Sequence, residues 1–151
     1  MSVKARGVAA CVSSIIILAM ALVAAPSCAQ TPAKSIKNQL LGHWQLVSVT
    51  INGNTPYGPA PQGSMFFDAT GHYSVIVITG GKASSISYFG TYTVDDADSS
   101  MTMHIDASSL VNAAGRDETR LVTFSGDQLI VENQRSGGPL GDIKLTWKQA
   151  N

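Results

Sequence analysis

From residue 43 onward the chain alternates short apolar, β-branched and aromatic runs with turn clusters, the pattern of strands rather than helices. The runs predict eight strands, at roughly 43–51, 63–68, 72–79, 86–94, 100–106, 117–124, 128–134 and 142–149. Alternation is cleanest in the last of them, where Ile143, Leu145 and Trp147 oppose Lys144, Thr146 and Lys148, so one face is dry and one wet. Met101, Met103 and Ile105 oppose Thr102, His104 and Asp106 in the same way. Strand 72–79 is apolar on both parities, with Tyr73, Val75 and Val77 against Ile76 and Ile78. Its second face therefore needs a cover, from an oligomer contact or a long loop.

The separators divide into two kinds. "DATG" at 68–71, "DDADS" at 95–99 and "SGD" at 125–127 have the Gly/Asp chemistry and length of hairpin turns, which favours sequential antiparallel pairing. Longer Gly- or Pro-rich loops at 52–62, 80–85, 107–116 and 135–141 are where a pocket mouth is expected. Before the first strand, "SIKNQLLG" predicts one helical turn, with Ser35 as cap and Ile36 and Leu40 on one face. Eight sequential antiparallel strands without crossover helices can form a closed up-and-down barrel or a sandwich. Closure removes exposed sheet edges, so the expected class is all-β, an eight-stranded antiparallel up-and-down barrel. Its interior just holds side chains or one small ligand.

The N-terminus has the three zones of a secretory signal peptide: Lys4 and Arg6, then an apolar run from Val8 to Ala25 broken by Ser13 and Ser14, then "PSCAQ". The expected layout is a signal peptide at 1–29, a leader at 30–39 and a barrel domain at 40–151, with cleavage after Ala29 and a periplasmic or secreted destination. An uncleaved anchor and a lipid-modified Cys28 are the alternatives. Cys11 and Cys28 both fall in the removed segment, so the mature domain has no disulfide available. Without Lys4 and Arg6, eight basic residues face ten acidic ones, a formal charge of −2. That balance gives no electrostatic reason to expect nucleic acid or an anionic membrane as partner.

"LLGHWQLVSVTING" resembles the first strand of the bacterial lipocalin-like domain family, with Gly42-x-Trp44 where calycin-type barrels carry G-x-W. "PQGSMFFDATGHYSV", "FGTYTVD", "MHIDAS", "ETRLVTFSGDQLIV" and "LTWKQA" are similar to that family's successive strands, in order. The resemblance spans about 110 residues and implies a barrel with a cavity, leaving the substrate open.

Several side chains bear on chemistry. Trp44 suits a plug at the closed end of such a barrel, and Trp147 shares the core parity of its strand. Met101 and Met103 are simple core residues or, on a lumen face, adaptable contacts for an irregular apolar ligand. Tyr73, Tyr88 and Tyr92 are strand aromatics whose hydroxyls could orient a ligand. Arg120 shares parity with Val122 and Phe124, in a domain otherwise short of inward charges. Its head either meets the carboxylate of a fatty-acid-like ligand or serves structurally, at the rim or stacked on Trp44.

His43, His72 and His104 stand singly, and Asp96-x-Asp98-x-Ser100 lacks the glycine and glutamate of a calcium loop, so neither metal nor cofactor is expected. There is no G-x-S-x-G, Walker sequence or pair of carboxylates on one strand face. The expected function is binding of a small, largely apolar molecule, with an isomerase- or cyclase-type enzyme or a filled structural barrel as the other readings. Oligomeric state stays open.

Overall fold

The computed structural model describes residues 34–80, 84–133 and 141–150. The expected signal peptide, its cleavage point, Cys28 and part of the leader lie outside the described residues. A five-residue helix α1 (Ile36–Leu40) precedes eight strands: β1 (Gly42–Ile51), β2 (Gln62–Phe67), β3 (His72–Ile78), β4 (Ser85–Asp95), β5 (Ser100–Ser108), β6 (Asp117–Ser125), β7 (Gln128–Asn133) and β8 (Ile143–Gln149). Each pairs antiparallel with its sequence neighbour, and β1 also pairs with β8, closing an up-and-down barrel. Strand limits agree with the sequence pattern to within one or two residues. The largest difference is β5, which runs to Ser108 and shortens the loop expected at 107–116.

Closure fixes two kinds of end. The tight turns after β2, β4 and β6 lie at the end where β1 begins, and β1, β3, β5 and β7 end at the other, open end. Turn chemistry explains the tight end. The Asp68 carboxylate accepts from the His72 amide at 2.8 Å and from the Thr70 hydroxyl at 2.8 Å, which holds its own carboxyl below the usual range. Asp95 accepts from the Ala97 and Asp98 amides at 2.9 and 3.1 Å.

Helix α1 covers this closed end. Ser35 caps it, Ile36 and Leu40 are buried, and the Ile36 amide donates to Asp96 Oδ1 at 2.7 Å. Beneath it Trp44 is buried, its indole N–H donating to the Leu40 carbonyl at 2.7 Å and its ring tilted against Phe124. Phe67, Tyr73 and Tyr92 add an aromatic cluster, with Phe67 and Tyr92 edge-to-face at 4.9 Å.

Two bulges keep apolar side chains inward. The β1–β8 register shifts between Leu46 and Ser48, so that Leu46 and Val49 both face the core while Val47 is exposed. The β4–β5 register shifts between Phe89 and Gly90. There the backbones approach so closely that a Cβ on Gly90 would overlap the His104 carbonyl.

Alternation holds throughout β3, with Tyr73, Val75 and Val77 buried and Ile76 and Ile78 outside. Within the single chain the expected cover is not supplied by any described residue: Phe66, Ile76 and Phe89 remain about half exposed. Serines separate these residues, since Ile76 pairs with Ser64 and Ser87, and Ser74 with Phe66 and Phe89.

Candidate functional site

The barrel interior is filled at the closed end and hollow towards the open end. A cavity of about 140 Å³ lies there. Its sides are Val49, Val77, Met103 and Leu145, with Met101 and Trp147 the most buried of the lining residues. Ile51, Tyr57, Ile86, Leu110, Ala113 and Ile143 ring its outer part, all from the ends of strands or loops on the open side. The lining is mostly apolar, and its polar side chains are Tyr57, Tyr88, Ser108, Glu118 and Arg120.

Of the six residues singled out from sequence, Arg120, Tyr88, Met101 and Met103 line this cavity. Tyr73 and Tyr92 point inward too but contribute nothing to its wall. They sit nearer the closed end, where each hydroxyl has a backbone partner: Tyr73 donates to the His104 carbonyl at 3.3 Å and Tyr92 to the Asp68 carbonyl at 2.9 Å. Parity gives the direction of a side chain, whereas strand tilt decides its depth along the barrel axis.

Arg120 is not alone on the inner face. Glu118, two residues earlier on β6, shares its parity, lines the same cavity and accepts a hydrogen bond from Arg120 Nη2. The expectation of an arginine in a domain short of inward charges is corrected to an arginine with its own counter-ion. Both are largely withdrawn from solvent, Arg120 at 19% exposure and Glu118 at 31%. A period of two carries this signal, since residues 118, 120, 122 and 124 must face one way. Met103 pairs with Glu118 and Met101 with Arg120 across the β5–β6 ladder, so thioether and charge lie side by side.

Tyr88 completes the polar group. Its ring stands edge-on to Tyr73 at 6.0 Å, and its hydroxyl feels both Arg120 and Glu118. Burial pushes that hydroxyl up to about 12, with Arg120 opposing the rise and Glu118 adding to it, so at neutral pH it is a protonated donor. Among the described residues no protein group hydrogen-bonds it.

The histidines lie outside this site. His104 is on the outer face, 2.6 Å from Asp117 and 3.8 Å from Asp106, and His72 belongs to the Asp68 turn. Among the described residues no cluster of three metal-ligating side chains occurs.

Fold and site together define a closed eight-stranded antiparallel barrel with an internal, mostly apolar cavity, an arrangement compatible with a lipocalin-like fold. No protein-family model matches the chain, and no curated protein matches its sequence.

Proposed function

We propose that this chain is an exported small-molecule binding protein of the bacterial lipocalin-like kind, holding a largely apolar ligand in its barrel. The observation that supports it is the hollow half of the interior. A filled structural barrel would bring large side chains together there, as Trp44 and Phe124 do at the closed end. A space of about 140 Å³ with mostly apolar walls is close to the roughly 150 Å³ of an apolar cavity that accepts benzene. The site therefore suits a molecule of about one ring, entering from the open end. Glu118 gives the isomerase or cyclase reading a lumenal carboxylate, but one already engaged by Arg120 rather than free to take a proton.

Native mass spectrometry of protein purified from its own host tests the reading. A retained small organic molecule is expected; uniformly empty protein that also takes up no toluene or benzene would overturn it, and turnover of a retained molecule would favour the enzyme. Export is tested separately by sequencing the N-terminus of the secreted or periplasmic protein, which should start at Gln30. A lipidated Cys28 or an intact Met1 in the membrane fraction would refute it.

A further inference from the structure

We infer that the polar end of the cavity, formed by Arg120, Glu118 and Tyr88, selects an uncharged ligand group of the amide or lactam kind, with a donor and an acceptor side by side. The inference rests on the binding reading above and names the chemistry of its ligand.

Three observations carry it. Arg120 and Glu118 neutralise each other inside the barrel, so this part of the lumen has no net charge to offer an ion. A ligand carboxylate would set a second anion beside Glu118 around one guanidinium in a mostly apolar space, and a ligand ammonium would set a second cation beside Arg120. The pair nevertheless has capacity left over. One guanidinium nitrogen is committed to one carboxylate oxygen, leaving further N–H donors on Arg120 and a second acceptor oxygen on Glu118. The Tyr88 hydroxyl, lining the same cavity within electrostatic reach of both, adds a donor with no partner among the described residues.

An amide or lactam matches that set in both directions. Its carbonyl accepts from Arg120 or Tyr88 while its N–H donates to Glu118. The apolar remainder then lies against Met101, Met103 and Leu145, where methionine adapts to irregular shapes. A purely apolar ring fills the same space but leaves these polar groups unused, so it binds more weakly.

Four one-ring probes separate the possibilities: toluene, benzamide, benzoate and benzylamine, titrated into the full barrel with amide chemical shifts or calorimetry as readout. Benzamide is expected to bind best, with benzoate and benzylamine each roughly tenfold weaker or worse, because each brings an uncompensated charge next to a like one. Glu118→Gln keeps the shape and frees the arginine, and should raise benzoate affinity by roughly tenfold. Tyr88→Phe should weaken benzamide by roughly fivefold to tenfold, the value of about one hydrogen bond, and leave toluene unchanged.

Wild-type protein that binds benzoate as tightly as benzamide overturns the inference while the apolar-cavity reading stands. So does toluene binding with no preference for benzamide. Failure to bind any of the four probes, toluene included, overturns the inference, and together with empty protein from its own host overturns both. Should Glu118→Gln fail to fold, the wild-type rank order and Tyr88→Phe still decide.

Discussion

The indole N–H of Trp44 and the Leu40 carbonyl form a buried bond that joins the start of β1 to the end of α1. Trp44→Phe keeps an aromatic ring and removes the donor, so it should cost about 1–3 kcal/mol, read as a lower urea midpoint with unchanged slope. A midpoint equal to that of the wild type would show that water or another group replaces the indole. Gly90 makes a sharper prediction, because the obstacle there is backbone. Gly90→Ala meets the His104 carbonyl and must open the β4–β5 ladder, costing about 1–3 kcal/mol or more. The inner tyrosines predict a dependence on pH. Burial raises Tyr73, Tyr88 and Tyr92 above the ordinary value near 10, so the unfolded chain loses these protons first. Their contribution is constant below about pH 10 and falls as pH rises above it, by at most about 1.4 kcal/mol per pH unit each for Tyr73 and Tyr88 up to about pH 12, with Tyr92 acting in the same direction. Urea midpoints measured across that range, with tyrosinate absorbance followed in parallel, check both the onset and the sign. At this scale the site was half legible. The inward direction of Arg120, Tyr88, Met101 and Met103 follows from alternation, and so does that of Glu118, whose parity with Arg120 is plain in the sequence once the strand is phased. The depth of Tyr73 and Tyr92 and the size of the cavity follow from tilt and packing, which local sequence does not encode.

Leu121 and Leu129 carry the same side chain on neighbouring strands and face opposite ways. Leu129 on β7 is fully buried, and Leu121 on β6 lies on the outer face at 36% exposure. Leu129→Ala should cost about 2–5 kcal/mol, and Leu121→Ala about 0.5 kcal/mol or less. Equal costs would mean that the outer face of β6 is covered in solution. Element order and strand limits were readable because Asp and Gly mark the tight hairpins and β-branched and aromatic residues fill the runs between them. The two bulges were not readable. Each depends on how one strand meets its partner, and neither Val47 nor Asp106 differs locally from a regular strand residue. The outer apolar positions of β3 were also plain in the sequence, whereas their exposure in the single chain depends on what surrounds the strand.

Because β1 and β8 complete one interior, filled and hollow halves share the same walls and should melt together. Trp44 reports the closed end and Trp147 the base of the cavity, so the single-tryptophan variants Trp44→Phe and Trp147→Phe allow each to be followed alone. Each variant's fluorescence transition should coincide with its own transition in far-ultraviolet circular dichroism, as expected for one cooperative unit. An earlier fluorescence transition in Trp44→Phe, where Trp147 reports, would mean that the cavity half opens by itself. The β1–β8 seam also orders events in time. The first strand to be synthesised cannot gain its second neighbour until the eighth has emerged, so one row of its backbone groups waits for nearly the length of the domain. Such distant pairing makes folding slow, on the order of milliseconds to seconds. Under the export reading proposed above, the delay has a use: the chain stays threadable until its final strand is free to seal the wall.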